Sequence, residues 1–213
     1  MPNQRSKRRS DRELFDAWAD GDTNAGNLLF ERYYPKIYKF FQSKINTGVE
    51  DLVQKTFEGL VKARHRFRGD AKVQTYLFQI ARNQLAKAYR TKSNTPDLDT
   101  GITSLNDLGP SLSTQIAAKA DYRLLLEALR RLPIDDQIIL ELYHFEGMSG
   151  PQVAAVLGLG IPAVRGRIRR ATARLEALAA ELPSTPGELL STKTTLATWS
   201  ASIRDQVDGA DDS

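Results

Sequence analysis

The 213 residues contain no cysteine and only two histidines, His65 and His144. Without thiols there is no disulfide, iron–sulfur cluster, thiol nucleophile or cysteine-ligated zinc, and two imidazoles are too few for a histidine-rich metal site. No apolar run approaches the ~18 residues of a membrane span, and the basic N-terminus lacks the apolar stretch of a secretory signal. The reading is a cytoplasmic chain with no membrane span. No Walker loop, nucleotide fingerprint or Ser/His/Asp arrangement is present, so neither a catalytic residue, a metal nor a cofactor is expected, and the chain reads as a non-enzyme. Glu13, Asp16, Asp20, Asp22 and Glu31 lie near one another in sequence without an accompanying histidine or aromatic pocket, and read as solvated helix faces.

What is present is ordinary in amount and uneven in distribution. Hydrophobic residues make up 41% and charged residues 26%, which excludes a wholly disordered chain. The net charge of +4 hides an asymmetry. The first twelve residues hold Arg5, Lys7, Arg8, Arg9 and Arg12 against Asp11 alone; residues 183–213 hold Lys193 and Arg204 against Glu188, Asp205, Asp208, Asp211 and Asp212. Without the acidic tail the remainder is more basic than the total suggests, and an anionic partner, nucleic acid first, becomes the candidate. The N-terminal arm by itself reads equally as a basic end with no specific partner.

The apolar spacing predicts an all-α protein of two small helical domains joined by a flexible linker. Helices are expected at 11–19, 23–46, 49–65 and 72–92, their faces marked by Leu28, Leu29, Tyr33, Ile37, Phe40 and Phe41, by Leu52, Val53, Phe57, Leu60 and Val61, and by Leu77, Ile80, Ala81, Leu85 and Ala88. Residues 93–119 have linker composition, rich in Ser, Thr, Asp, Pro and Gly and net acidic. The second block carries one stripe of Tyr122, Leu125, Leu126, Leu129 and Leu132 ended by Pro133, and another of Ile138, Ile139, Leu142 and Phe145 ended by Gly147. The expected divisions are a basic arm (1–12), a first block (13–92), the linker (93–119), a second block (120–182) and an extension (183–213). In the extension, Leu196, Trp199, Ile203 and Val207 fit one helical face, which reads either as a regulatory tail docking on the protein or a regulator, or as a frayed end.

Within the second block, Ser149-Gly-Pro-Gln152 fits a capping box, Gly158-Leu-Gly160 a turn, and an arginine-rich helix begins near Ile161. Helix, glycine turn, basic helix is the form of a helix-turn-helix. Val164, Ile168, Ala171, Leu175 and Leu178 step by three and four and predict one buried stripe. At ~100° per residue, Pro162, Gly166, Arg169, Arg170 and Ala173 then lie opposite, with Arg165 beside them and Arg167 and Arg174 nearer the flank. Small residues among arginines suit a helix entering a major groove, where Arg reaches the guanine edge or a phosphate. A solvated amphipathic helix is the plainer reading.

A second basic face follows Gly69. Tyr76, Asn83, Lys87 and Arg90 share one stripe, Arg82 and Lys92 flank it, and the loop Arg66-Phe67-Arg68-Gly69-Asp70-Ala71-Lys72 precedes it. Rings among cations suit unstacked single-stranded DNA. Tyr76 reads equally as a core aromatic, and Phe78 reads as core.

These residues, in this order, resemble the extracytoplasmic-function sigma factors of bacterial RNA polymerase. The marks are Asp51-Leu-Val-Gln-Lys-Thr-Phe57, Phe67-Arg-Gly-Asp70, Thr75-Tyr-Leu-Phe-Gln-Ile-Ala-Arg-Asn83, Leu132-Pro133, Glu146-Gly-Met-Ser149, Val153-Ala154 and Val164-Arg-Gly-Arg-Ile168, spread over about two thirds of the chain. The resemblance implies that the helix with Asp51, Gln54, Lys55 and Glu58 docks on the clamp helices of the polymerase's largest subunit, although the family usually has an acid where Lys55 stands. It implies that Phe67, Arg68, Gly69, Asp70, Lys72, Tyr76, Arg82, Asn83, Lys87 and Arg90 capture and melt the promoter's minus-ten region, with Tyr76 where Trp is common. Pro162, Arg165, Gly166, Arg167, Arg169 and Arg170 would read the minus-thirty-five element, and the linker would thread the RNA exit path. The implied partners are core RNA polymerase and promoter DNA, with an anti-sigma factor as a further candidate. A stand-alone helix-turn-helix regulator would account for the second block only, and the charge also allows an RNA-binding regulator.

Overall fold

The computed structural model describes residues 9–45, 47–65, 72–92 and 123–182. The described residues are helical and connecting segments, with no strand among them. The chain divides into two compact units. One holds α1 (Asp11–Ala19), α2 (Thr23–Gln42), α3 (Val49–Ala63) and α4 (Val73–Lys92); the other holds α5 (Arg123–Arg131), α6 (Ile134–Leu140), most of α7 (Gly150–Leu157), and α8 (Ile161–Glu181).

In the first unit the helix starts are written in short polar side chains. The Glu13 amide donates to Ser10 Oγ at 3.2 Å while the Ser10 amide donates to Glu13 Oε2 at 2.7 Å, a reciprocal cap for α1. The bonds from Ser10 hold the Glu13 carboxyl below the usual carboxylate range. Asp22 Oδ1 accepts from the Asn24 and Ala25 amides at 3.0 and 3.1 Å and starts α2. Asp11 accepts from Arg32 and the Tyr33 hydroxyl and so ties α1 to α2. Two of the acids expected on solvated faces, Glu13 and Asp22, are therefore caps.

The core of this unit is aromatic. Leu14, Phe15 and Trp18 of α1, Leu29, Tyr33, Ile37, Phe40 and Phe41 of α2, Leu52, Val53 and Leu60 of α3, and Leu77, Phe78, Ala81 and Leu85 of α4 are all buried. Phe40 meets Phe41 and Phe78 edge-on, with centroids 5.4 and 5.6 Å apart. Lys44 is buried as well. Its ammonium donates to the Phe40 carbonyl (2.9 Å) and Ser43 Oγ (2.7 Å) and lies 4.0 Å from the Phe40 ring centroid. A cation suits the C-terminal end of α2, where carbonyls are left without helical donors. The Tyr89 hydroxyl donates to the Lys44 carbonyl at 2.7 Å, and burial pushes that phenol up to about 12.

Three details depart from the periodicity. Helix α2 stops at Gln42 and α3 at Ala63 rather than at 46 and 65. In both, the following turn tightens: the Lys44 amide bonds the Phe41 carbonyl and the Arg64 amide the Val61 carbonyl, each three residues back. Val61 is 40% exposed rather than part of the stripe, because it stands ~100° around the helix from buried Leu60. Pro35 sits inside α2 without ending it; the residue is exposed, and only the Glu31 carbonyl loses its helical donor.

In the second unit, Leu125, Ala128, Leu129 and Leu132 of α5 and its end meet Leu140 and, from α8, Ala171, Leu175, Ala179 and Leu182, with Leu178 at the margin. Fully burying each leucine contributes about 1.5–3 kcal/mol. Helix α6 runs into a wider turn, Glu141–Phe145, closed by the Glu146 amide on the Glu141 carbonyl. That turn corrects the expectation for Phe145. The residue is 51% exposed, because a turn closed by a hydrogen bond spanning five residues holds more residues than an α-turn and rotates it off the face that a 3.6-residue repeat extrapolates.

Candidate nucleic-acid interface

Helix α7 begins at Ser149, whose amide donates to Gln152 Oε1 at 3.0 Å, and carries Pro151 in its first turn. It ends at Gly158, which has φ 66° and ψ 34°. An L side chain rarely takes that left-handed conformation, so glycine makes the short turn to α8 possible. Gly160 stands before α8 in extended conformation and supplies no side-chain cap, and Pro162 occupies the first turn.

The buried stripe of α8 is Val164, Ile168, Ala171, Thr172, Leu175 and Ala179. Its burial turns the rest of the helix outward. Pro162, Arg169, Arg170 and Ala173 are exposed, and Arg165, Gly166 and Arg167 are half-buried at the edges. A β-carbon at Gly166 would lie 3.4 Å from Arg170 Nη1; the guanidinium folds back across the space the glycine leaves open. Of the six residues expected at the upstream DNA element, Pro162, Arg169 and Arg170 are thus exposed, and Arg165, Gly166 and Arg167 border them at intermediate exposure. Arg174 is engaged differently: it forms an ion pair with Asp136 of α6. Burial raises Asp136 above the usual carboxylate range, while Arg174, and Arg167 beyond it, pull it back. Asp136 lies 38 residues away in sequence, and no local pattern points to it.

On α4, Asn83, Lys87 and Arg90 are exposed, Arg82 and Tyr76 half-buried, and Lys72 exposed just before the helix. The Tyr76 amide donates to the Lys72 carbonyl at 3.1 Å. Phe78 is a core residue against Phe40. Phe67, Arg68, Gly69 and Asp70 lie outside the described residues, as do the arm through residue 8, the linker and the extension.

On α3, Asp51, Gln54, Lys55 and Glu58 are all exposed along one face. They pair internally: Lys55 Nζ is 2.6 Å from Asp51 Oδ2, and Gln54 Nε2 donates to Glu58 Oε1 at 2.9 Å. Beside them runs an aromatic ladder. Tyr34, 49% exposed, stacks near Tyr38 and Phe57 with centroids 6.0 and 6.5 Å apart, and Phe57 meets Phe30 at 4.9 Å. An exposed tyrosine on a helix carries no sequence signal that separates it from a core one.

Against known proteins, residues 29–95 match the Sigma-70 region 2 family model and residues 122–175 the Sigma-70 region 4 model. Over 180 residues the chain is 35% identical to the RNA polymerase sigma factor CnrH of Cupriavidus metallidurans, covering 79% of this chain and 94% of that protein. It is 29% identical over 177 residues to the ECF RNA polymerase sigma-E factor of Escherichia coli, covering 78% and 92%. The solved structure of CnrH in complex with the cytosolic domain of CnrY matches with a TM-score of 0.60 at 30% identity, over 81% of this chain and 99% of that one. The sigma factor RpoE, solved with the anti-sigma factor NepR from Bartonella quintana, matches at TM-score 0.53 and 23% identity, over 72% and 96%, and bears on the fold alone.

Proposed function

Because the chain belongs to the extracytoplasmic-function sigma factors of RNA polymerase, we propose that its two helical units carry three working faces, two for promoter DNA and one for the polymerase. Arg165, Arg167, Arg169 and Arg170 on α8, with Pro162 and Gly166 allowing close approach, read the minus-thirty-five element. Lys72, Tyr76, Arg82, Asn83, Lys87 and Arg90, together with Phe67, Arg68, Gly69 and Asp70 that precede them in sequence, capture the opened minus-ten strand. Asp51, Gln54, Lys55 and Glu58 on α3 meet the clamp helices of the polymerase. Residues 13–92 then act as region 2 and 120–182 as region 4.

The observation that carries this reading is the division of α8 into a buried apolar stripe and an exposed side of arginines and small residues. A helix so divided can lie in a major groove without exposing core residues. The mechanism is physical. Two DNA contacts tethered on one polymerase make the second effectively intramolecular. Capture of a flipped base costs a few kcal/mol of unstacking, offset by stacking and pocket contacts. The bond-making chemistry belongs to the core polymerase, and this chain works in the cytoplasm as a non-enzyme. By likeness to CnrH, solved with the cytosolic domain of CnrY, a regulatory protein of the anti-sigma kind is a further partner.

The stand-alone regulator considered from the sequence is not favoured, since the region 2 match at 29–95 has no role in it. Reconstitution with core polymerase and run-off transcription on a genomic fragment library tests the proposal. New start sites that depend on this chain are expected. Failure to associate, or association that leaves start sites unchanged, overturns it.

A further inference from the structure

We propose that Asp136 withholds Arg174 from the DNA backbone, so that the phosphate contacts of α8 fall to the arginines nearer its start. This rests on α8 being the helix that meets DNA. Arg167, Arg170 and Arg174 step by three and four along α8 and share one side of it. By spacing, Arg174 is the next phosphate ligand in that row. Its guanidinium is instead paired with a carboxylate of the same unit.

The pair is asymmetric. The side chain of Arg174 is 52% exposed and that of Asp136 16%. Asp136 belongs to the first turn of α6, where a negative charge meets the positive end of the helix, and its neighbours Ile134, Gln137 and Ile138 are buried. A carboxylate held in this way cannot follow the arginine outward. A phosphate competing for Arg174 would leave Asp136 largely buried and uncompensated, which is a costly arrangement. The electrostatic pull of Arg167 on Asp136 puts that arginine within the same field.

A cation already neutralised within the protein releases no counterion from DNA. Asp136 thereby removes one sequence-independent contact from the interface and lowers attraction to DNA of any sequence, while the base-reading side of α8 is untouched.

The test uses holoenzyme reconstituted with the full chain, bound to a promoter fragment recovered from the run-off screen and to a random-sequence duplex, over a salt series. Asp136→Asn is expected to steepen the slope of log affinity against log salt by about 0.9, the value of one phosphate contact, and to tighten binding up to about eightfold at ~0.1 M salt on both DNAs alike. Arg174→Gln alone is expected to leave the slope unchanged, and the double variant to return to the parental slope, so that the two changes are strongly non-additive. An unchanged slope in Asp136→Asn, a steeper slope that survives in the double variant, or a shallower slope in Arg174→Gln alone overturns the proposal. Should Asp136→Asn fail to fold, Arg174→Gln decides by itself. Arg170→Gln separates the underlying reading: if neither it nor Arg169→Ala alters binding, the DNA role of α8 is lost, whatever happens at Asp136.

Discussion

The indole of Trp18 lies against Gly26, with Cδ1 and Nε1 2.5 Å from the position a β-carbon on that residue would take. The ring is held between Phe15 and Phe30, edge-on at 5.6 and 5.5 Å, with the Arg64 guanidinium 5.7 Å from its centroid. Gly26→Ala improves intrinsic helix propensity by about 1 kcal/mol. The clash costs about 1–3 kcal/mol and is expected to prevail, because the indole has aromatic neighbours on both sides. Thermal unfolding should show a lower Tm than the parent; a higher one would mean that the ring swings aside freely.

Leu175 joins α8 to the core of the second unit and is fully buried. Leu175→Ala is expected to cost about 2–5 kcal/mol. Because the two units have separate cores, the loss should fall on amide exchange of α5, α6 and α8, with α1–α4 retaining their protection. Loss spread equally over both units would contradict that independence.

Arg169 is exposed on the reading side of α8. Arg169→Ala should weaken holoenzyme binding at the upstream element by about 1–3 kcal/mol if the guanidinium makes a bidentate base contact. Competition between promoter and random duplex measures this. Equal loss on both would make Arg169 a phosphate contact.

Tyr76, half-buried at the start of α4, has a ring suited to stacking on an unpaired base. Tyr76→Ala should leave closed-complex binding intact and reduce strand opening, read as permanganate reactivity of unpaired thymines. Normal reactivity removes the residue from the melting step.

His144 stands in the wide turn after α6, edge-on to Tyr143 with centroids 5.0 Å apart, and burial lowers its imidazole from 6.5 to about 4. The folded state therefore keeps it neutral where the unfolded chain would protonate it. Stability from this source is complete above pH 6.5 and is lost as pH falls toward 4, with no further loss below. Denaturant unfolding across that window should show a shallower pH dependence for His144→Gln than for the parent; identical slopes would clear His144 of the effect.

Much of the fold was legible because its helices bury stripes that repeat every three or four residues. Val164, Ile168, Ala171 and Leu175 announce both α8 and the side it hides, and hence the side its arginines present. Ser149, Gly158 and Gly160 mark the flanking turns by their conformational preferences. Where the repeat itself changed, the reading failed: the wide turn at Glu141–Phe145 put Phe145 in solvent, and tightened last turns shortened α2 and α3.

Composition and periodicity alone determined a thiol-free chain of the all-α class with arginines on an amphipathic helix after a glycine turn, because those features depend on residues close together in sequence. Tertiary structure decided which charges are free to act. Asp136 neutralises Arg174, Asp22 and Glu13 serve as caps, and Lys44 is buried at the end of α2. Such pairings depend on where helices cross in space, and an electrostatic partner 38 residues away leaves no mark on the local repeat.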